Sequence, residues 1–180
     1  LNGKFIICIP NAEPVIQKLE RAGYNDWALV TEYLSEQNYI NDKYTIKSKG
    51  AAVREIESCV LSHKYLKMPE KIFLRNIDLE ITEKCSMRCR DCCNLMQYYK
   101  QPKEYSVEKL VEWMDELLNY VDEIYEIRIL GGEPFMHRQV HRIIERIISY
   151  PQVHRILVIT NATIMPSEEM WEVMENDKVG

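Results

Sequence analysis

The chain has 180 residues, 46% of them hydrophobic, enough for one good core or for one domain and part of another. Its 23 basic residues stand against 28 acidic ones, and the formal charge of -5 leaves no electrostatic footprint for nucleic acid or an anionic membrane. No apolar stretch approaches the roughly 20 residues of a membrane span, and the opening LNGKFIICIP lacks the basic region and cleavage site of a signal peptide. A soluble, cytoplasmic protein with no nucleic-acid and no membrane partner is the expectation.

Phe5 to Ile9 form a short apolar run broken by Pro10 and Asn11, after which Val15, Ile16, Leu19 and Ala22 recur at helical spacing until Gly23. The pattern predicts a strand, a turn and a helix, a unit typical of doubly wound α/β folds. The chain opens on Leu1 and runs directly into this apolar strand with nothing before it to pair with. Residues 1–47 are therefore expected to be the tail of a preceding α/β, Rossmann-like unit, and the chain a piece of a longer one. Ser48 to Lys67 reads as a helix through Val53, Ile56, Val60 and Leu61, stopped by Pro69. Residues 48–75 are assigned to a connecting helix and linker, with the boundary near Lys67 to Pro69.

Beyond it the pattern becomes regular. A strand is predicted at Ile77 to Thr82, a helix at Val107 to Val121, a strand at Ile124 to Leu130, a helix at Val140 to Tyr150, a strand at Ile156 to Thr160 and a helix from Ser167. The first helix carries apolar residues at 107, 110, 111, 114, 117, 118 and 121 and the second at 140, 143, 144, 147 and 148, one-sided stripes suited to covering a sheet. Ser106 and Ser167 are the expected N-caps. Three strand-helix alternations imply βαβ units and a parallel sheet, open or closed into a barrel.

Six cysteines are present, and four of them crowd between Cys85 and Cys93, too close to staple distant parts of a fold. Metal chemistry in a reducing compartment fits them better. Cys85, Cys89 and Cys92 form CxxxCxxC directly after the first strand of the regular series. Three thiolates at this spacing can wrap one corner of a cubane and leave the fourth iron without a protein ligand, open to an outside molecule. Taken alone, the pattern reads equally well as a zinc knuckle or as reduced core cysteines. A closed zinc site, however, wants four ligands, usually as two separated pairs, and the sequence has no second CxxC. Cys93 is a poor fourth ligand, because adjacent residues of an extended chain point in opposite directions. Cys93, Cys8 and Cys59 are read as small apolar residues.

Gly131, Gly132, Glu133 and Pro134 follow the next strand. The glycine pair permits close backbone approach and a sharp turn, and Glu133 offers a carboxylate to a cationic group; as an isolated tetrapeptide it reads as ordinary loop punctuation. In a parallel α/β sheet, however, every strand-to-helix loop falls on the ligand-binding edge. Neighbouring strands lie about 4.8 Å apart, so a molecule anchored at an open iron reaches Glu133. A third polar loop, beginning Thr160-Asn161, follows the next strand toward the same edge.

With these motifs in order, each after a strand, residues 75 to 180 resemble the radical S-adenosylmethionine (radical SAM) enzymes, in which CxxxCxxC binds a [4Fe-4S] cluster and GGE or GGEP receives the methionine end of the cofactor. The resemblance implies that Cys85, Cys89 and Cys92 are the cluster ligands. It also implies that Gly131, Gly132, Glu133 and Pro134, with Thr160 and Asn161 resembling the TN of many members, bind S-adenosyl-L-methionine. The expected fold for residues 76–180 is a partial parallel (β/α) barrel, the first three βα units. The expected activity is that of an oxidoreductase-like radical enzyme: an external one-electron donor reduces the cluster, and the cofactor is cleaved to methionine and a 5′-deoxyadenosyl radical. That radical takes hydrogen from a small-molecule or peptide substrate that the sequence does not identify. Where the family usually carries an aromatic residue before the third cysteine, this chain has Asp91. The family barrel has six units against three here, which implies weak cofactor retention and little turnover by these 180 residues.

The alternative class is a non-catalytic metal module, structural zinc or an electron-transfer cluster; a third reading is a degenerate barrel whose N-terminal unit binds a partner or nucleotide. Among the remaining residues, His137 and His141 stand four apart on the predicted helix without a third ligand and read as surface or packing residues. Arg88 and Arg90 balance a cluster's charge or are solvated, and Tyr98 and Tyr99 are expected to pack around the site.

Overall fold

In the computed structural model of the protein, residues 3–9, 11–33 and 49–180 are described. Pro10, Ser48 and residues 34–47, on which parts of the N-terminal reading fall, lie outside them, as does the Val53 side chain. The chain divides into two compact units, Leu1–Lys71 and Ile72–Gly180. Among the described residues no helix is long and apolar enough to cross a membrane.

The first unit begins with β1 (Phe5–Ile7), α1 (Glu13–Arg21) and β2 (Trp27–Leu29). Pro14 sits in the first turn of α1, where a missing N–H is harmless, and Gly23 turns the chain at φ +82 just past its end. β2 pairs parallel to β1, Phe5 opposite Trp27 and Ile7 opposite Leu29. The sequence reading contains no strand at Trp27–Leu29; three residues are too few for a period-2 signal, and their burial against Ile7 and α1 supplies what periodicity does not. Helix α2 (Lys49–Leu66) belongs to the same unit. Its Leu66 packs against the Ile7, Ala12 and Leu29 core. Its buried His63 accepts the Thr31 hydroxyl proton at Nδ1 (2.8 Å) and donates from Nε2 to the Ile9 carbonyl (3.0 Å). The segment assigned as a connector is thus built into the first unit's core.

The second unit is a three-stranded parallel sheet in the order β3 (Phe73–Thr82), β4 (Glu123–Gly131), β5 (Val153–Val158). The crossovers are α3 (Val107–Leu118) and α4 (Val140–Ile148), and α5 (Glu168–Met174) follows β5. Ser106 and Ser167 cap α3 and α5 as expected, accepting from Lys109 N and Met170 N. The apolar stripes of α3 and α4 meet Ile81, Ile127, Ile129 and Ile156 in one core. Both crossover helices stop short of their predicted ends. In α3 the Asn119 and Tyr120 amides turn to carbonyls three residues back, and in α4 Ser149 and Tyr150 do the same ahead of Pro151. β3 starts four residues before its predicted start and β5 three, because Phe73 pairs with Glu123 and Val153 with Ile124 regardless of local propensity.

The sheet face away from the helices carries charged side chains beside Leu130 and Leu157. Asp78 pairs with Arg128 across β3 and β4, and Glu126 lies opposite Arg155 across β4 and β5. Beyond β5, Val179 pairs parallel with Ile156, supported by Ile156 N–H to Lys178 O (2.7 Å) and Gly180 N–H to Ile156 O (2.9 Å). Residues 178–180 thereby occupy a fourth place in the sheet, which is open rather than closed.

Candidate functional site

The loops after β3, β4 and β5 emerge at one edge of the second unit, as parallel strands require. The first is a long excursion with a closed neck. Glu83 N–H donates to Lys103 O (2.8 Å), Lys103 N–H donates to Glu83 Oε2 (2.7 Å), and Thr82 bridges antiparallel to Glu104. The ion pair Lys84–Glu104 (3.0 Å) closes it further. Cys85 and Cys92 are half-buried in this loop and Cys89 is exposed; all three are free thiols.

The second loop is seated on the first by backbone. Gly132 N–H donates to Thr82 O and Glu133 N–H to Lys84 O, both at 2.8 Å. A Cβ on Gly131, whose φ is +155, would lie 2.2 Å from Thr82 O, and one on Gly132 would lie 2.2 Å from Lys84 O and 2.8 Å from Cys85 Cβ. Only glycine allows this approach, so the Gly-Gly pair is the contact surface between the β4 loop and the start of the cysteine loop.

Glu133 is fully buried. Its Oε1 accepts from Phe135 N–H (3.0 Å), its Oε2 from Asn161 N–H (2.8 Å), and the Thr160 hydroxyl donates between the two oxygens at 2.8 and 2.9 Å. The carboxylate expected to face a cationic group is directed inward, where it ties the β4 loop to the β5 loop. Three convergent donors make this burial tolerable. Asn161 continues the link: its Nδ2 donates to Ser86 Oγ (3.3 Å) and reaches Cys85 Sγ (3.7 Å), while its Oδ1 accepts from Thr163 N–H (3.0 Å) and the Thr163 hydroxyl (2.6 Å). The Ser86 and Thr163 hydroxyls hydrogen-bond directly. Cys85, Gly131, Gly132, Glu133, Thr160 and Asn161 are thus brought together, and Pro134 is buried beside them in the turn Pro134–Met136.

Other expectations change. His137 is not on a helix: it ends that turn, buried, donating from Nε2 to Tyr105 O (2.7 Å) and accepting Gln139 N–H at Nδ1 (3.2 Å), and so pins the β4 loop to the chain that enters α3. Tyr98 and Tyr99 are 72% and 45% exposed and do not pack into the site. Cys8 and Cys93 are exposed and Cys59 half-buried, so none of them is a core residue. Glu80, on the charged sheet face near the loop edge, has its carboxyl pushed up by burial and then by the charge of Glu83.

Among the described residues no group of three or more His, Cys, Asp or Glu stands close enough to hold a single metal ion. A cubane makes a different demand, since it presents a separate iron to each thiolate. Three free thiols spaced along one loop match that donor set.

A family model, the radical SAM superfamily, matches residues 79–179, a stretch that holds all three loops. Curated relatives include the GTP 3',8-cyclase of Clostridium acetobutylicum, 27% identical over 96 residues that span 51% of this chain and 30% of that protein. Those of Syntrophomonas wolfei and Campylobacter lari are 34% and 30% identical, each over 50% of this chain and 28% of the relative. The chain therefore spans about a third of the length of the curated relatives it matches. Fold, loop order and the match over more than half of its residues lead to one conclusion: the chain belongs to the radical SAM superfamily.

Proposed function

We propose that the second unit is the first part of a radical SAM barrel, in which Cys85, Cys89 and Cys92 hold a [4Fe-4S] cluster and the Gly131–Pro134 and Thr160–Asn161 loops receive S-adenosylmethionine. When bound, the cluster supplies one electron for reductive cleavage of that cofactor to methionine and a 5′-deoxyadenosyl radical, which takes hydrogen from the substrate. The observation that carries the reading is the seating of Gly132 against Lys84 and Cys85. A ligand at an iron beside Cys85 lies within one strand spacing of the second loop, about 4.8 Å. The partial-barrel assignment is supported by the parallel order β3-β4-β5, the fourth place taken by residues 178–180, and the charged face opposite the helices. The last is unusual for a two-sided open sheet and suits a wet barrel interior.

In this reading Glu133 contributes by shape. Its carboxylate fixes Thr160 and the Asn161 amide, and the methionyl end meets the backbone of the Gly131–Glu133 loop. The arginines Arg88 and Arg90 add positive charge around a cluster whose thiolates are negative. An external one-electron donor serves the site, and the substrate, small molecule or peptide, is selected by residues beyond these loops.

Anaerobic reconstitution tests the proposal. The chain is expected to load about four irons, and Cys85→Ala, Cys89→Ala or Cys92→Ala to abolish most of that loading. The EPR spectrum of the reduced cluster is expected to change when S-adenosylmethionine is added. Bound zinc, with no iron spectrum and no response to S-adenosylmethionine, would place the chain with structural metal modules instead.

A further inference from the structure

We propose that Asn161 is a positioning residue that raises the reduction potential of the cluster by donating its side-chain N–H to Cys85 Sγ. The inference rests on the cluster reading above and adds to it a residue through which the protein tunes the electron-transfer step.

The orientation of the amide is determined by its partners. Oxygen and nitrogen of an asparagine differ little in shape, but Oδ1 faces the Thr163 backbone N–H at 3.0 Å, a group that can only donate. The Thr163 hydroxyl adds a second bond to Oδ1 at 2.6 Å. Nδ2 is therefore the atom facing the cysteine loop, with Cys85 Sγ at 3.7 Å and Ser86 Oγ at 3.3 Å. The backbone is held as firmly: Asn161 N–H is bound to the buried Glu133 (2.8 Å), and the next residue, Ala162, takes the left-handed conformation at φ 58 that closes the turn. A second donor, Met87 N–H, lies 3.4 Å from the same sulfur. Two N–H groups from different loops converge on one thiol that is itself half-buried.

A donor beside a cluster ligand acts on the redox equilibrium because the two oxidation states differ by one negative charge, part of which resides on the sulfurs. The N–H···S bond is stronger in the reduced state, so it stabilises that state and raises the potential. Half-burial of Cys85 limits the water that can supply an equivalent donor when the amide is removed.

The test is an EPR-monitored redox titration of the reconstituted 180-residue chain, without S-adenosylmethionine, comparing the unsubstituted protein with Asn161→Ala and Asn161→Asp. The alanine variant removes the donor. The aspartate variant is nearly isosteric, keeps an acceptor for Thr163 and turns a carboxylate oxygen toward the sulfur. Both midpoints are expected to fall, the alanine variant by about tenfold in the reduction equilibrium, 59 mV for a one-electron couple, and the aspartate variant by more. Either variant that loads iron with an unshifted or higher midpoint overturns the inference. Loss of iron from both also overturns it, since Asn161 would then serve cluster assembly rather than potential. An unsubstituted chain that loads no iron overturns the cluster reading and this inference with it, whereas a loaded chain with unshifted variants overturns this inference alone.

Discussion

Gly132 has no room for a side chain: a Cβ would stand 2.2 Å from Lys84 O and 2.5 Å from Lys84 C, both backbone atoms that cannot rotate away. Gly132→Ala is expected to cost about 1–3 kcal/mol through the forced backbone shift, which at this size lowers Tm by roughly 2–4 °C per kcal/mol. It is also expected to reduce iron loading, because the displaced atoms belong to the start of the cysteine loop. Thermal denaturation and iron per chain read the two effects separately, and an unchanged Tm would show that the loops are not in contact as described. At this scale the sequence was legible where chemistry follows from residue type. Three spaced cysteines, a glycine pair and a polar third loop all lie on the edge that strand order implies. What stayed hidden depends on partners far along the chain. Residue type suggests that Glu133 offers a carboxylate to a cationic group, but not that it also bonds Thr160 and Asn161, which stand 27 and 28 residues away. His137, read as a surface or packing residue on a helix, is a packing residue, but it sits on a turn, held in the interior by the carbonyl of Tyr105, 32 residues back.

Helices and strands of the second unit were readable because each repeats its period long enough to register: α3 and α4 carry stripes, and β3 to β5 are apolar on the side those stripes cover. Their ends were not, since strand lengths follow the neighbour's register and helix ends follow tightening of the last turn. The α3–α4 contact contains a polar cluster that periodicity also misses. Tyr150, just past α4, donates its hydroxyl to Asp115 of α3, and Arg146 bonds the same carboxylate at 3.0 Å while lying 4.7 Å from the Tyr150 ring. The phenol hydrogen bond, and then the nearby guanidinium, hold Asp115 below the usual carboxylate range. Burial, and then the bond to Asp115, push the Tyr150 phenol up to about 12. The unfolded phenol ionises near pH 10, so between about pH 10 and 12 the unfolded state binds fewer protons than the folded one, and stability falls as pH rises. Tyr150→Phe is expected to lose about 0.5–1.5 kcal/mol at neutral pH, the net worth of one hydrogen bond, and to flatten that alkaline decline. Urea midpoints measured from pH 7 to 12 check both, and a decline of equal steepness in the variant would assign it to another group.

For the molecule as a whole, the two-unit division decides how the candidate site can be handled. The cysteine loop, the glycine loop and the Thr160–Asn161 turn all belong to Ile72–Gly180, as do the partners that hold them: Lys103, Tyr105, Phe135 and Thr163. Among the described residues, the large core cluster of that unit is drawn from residues of Ile72–Gly180. The first unit has its own small core of Ile7, Ala12 and Leu29, with α2 fixed to it through His63. Sequence patterning pointed to a change of organisation between Lys67 and Pro69 because Pro69 ends a helical run; contacts place the division after Lys71, where the Ile72 amide already bonds the Asp122 carboxylate ahead of β4 at 2.9 Å. A chain comprising residues 72–180 is therefore expected to unfold cooperatively and to load the same iron per chain on reconstitution as the 180-residue protein. Within that unit, residues 178–180 complete the pairing at the edge of β5, and Lys178 donates from Nζ to the Ile148 and Tyr150 carbonyls at 3.0 and 2.9 Å, closing the end of α4. Removing residues 178–180 from the shorter chain is expected to lower its Tm while leaving iron loading unchanged, since their hydrogen bonds go to β5, Asn176 and the end of α4. If instead the 72–180 chain loses iron with its fold intact by circular dichroism, the first unit is a part of the cluster site and the division drawn from contacts does not hold for function.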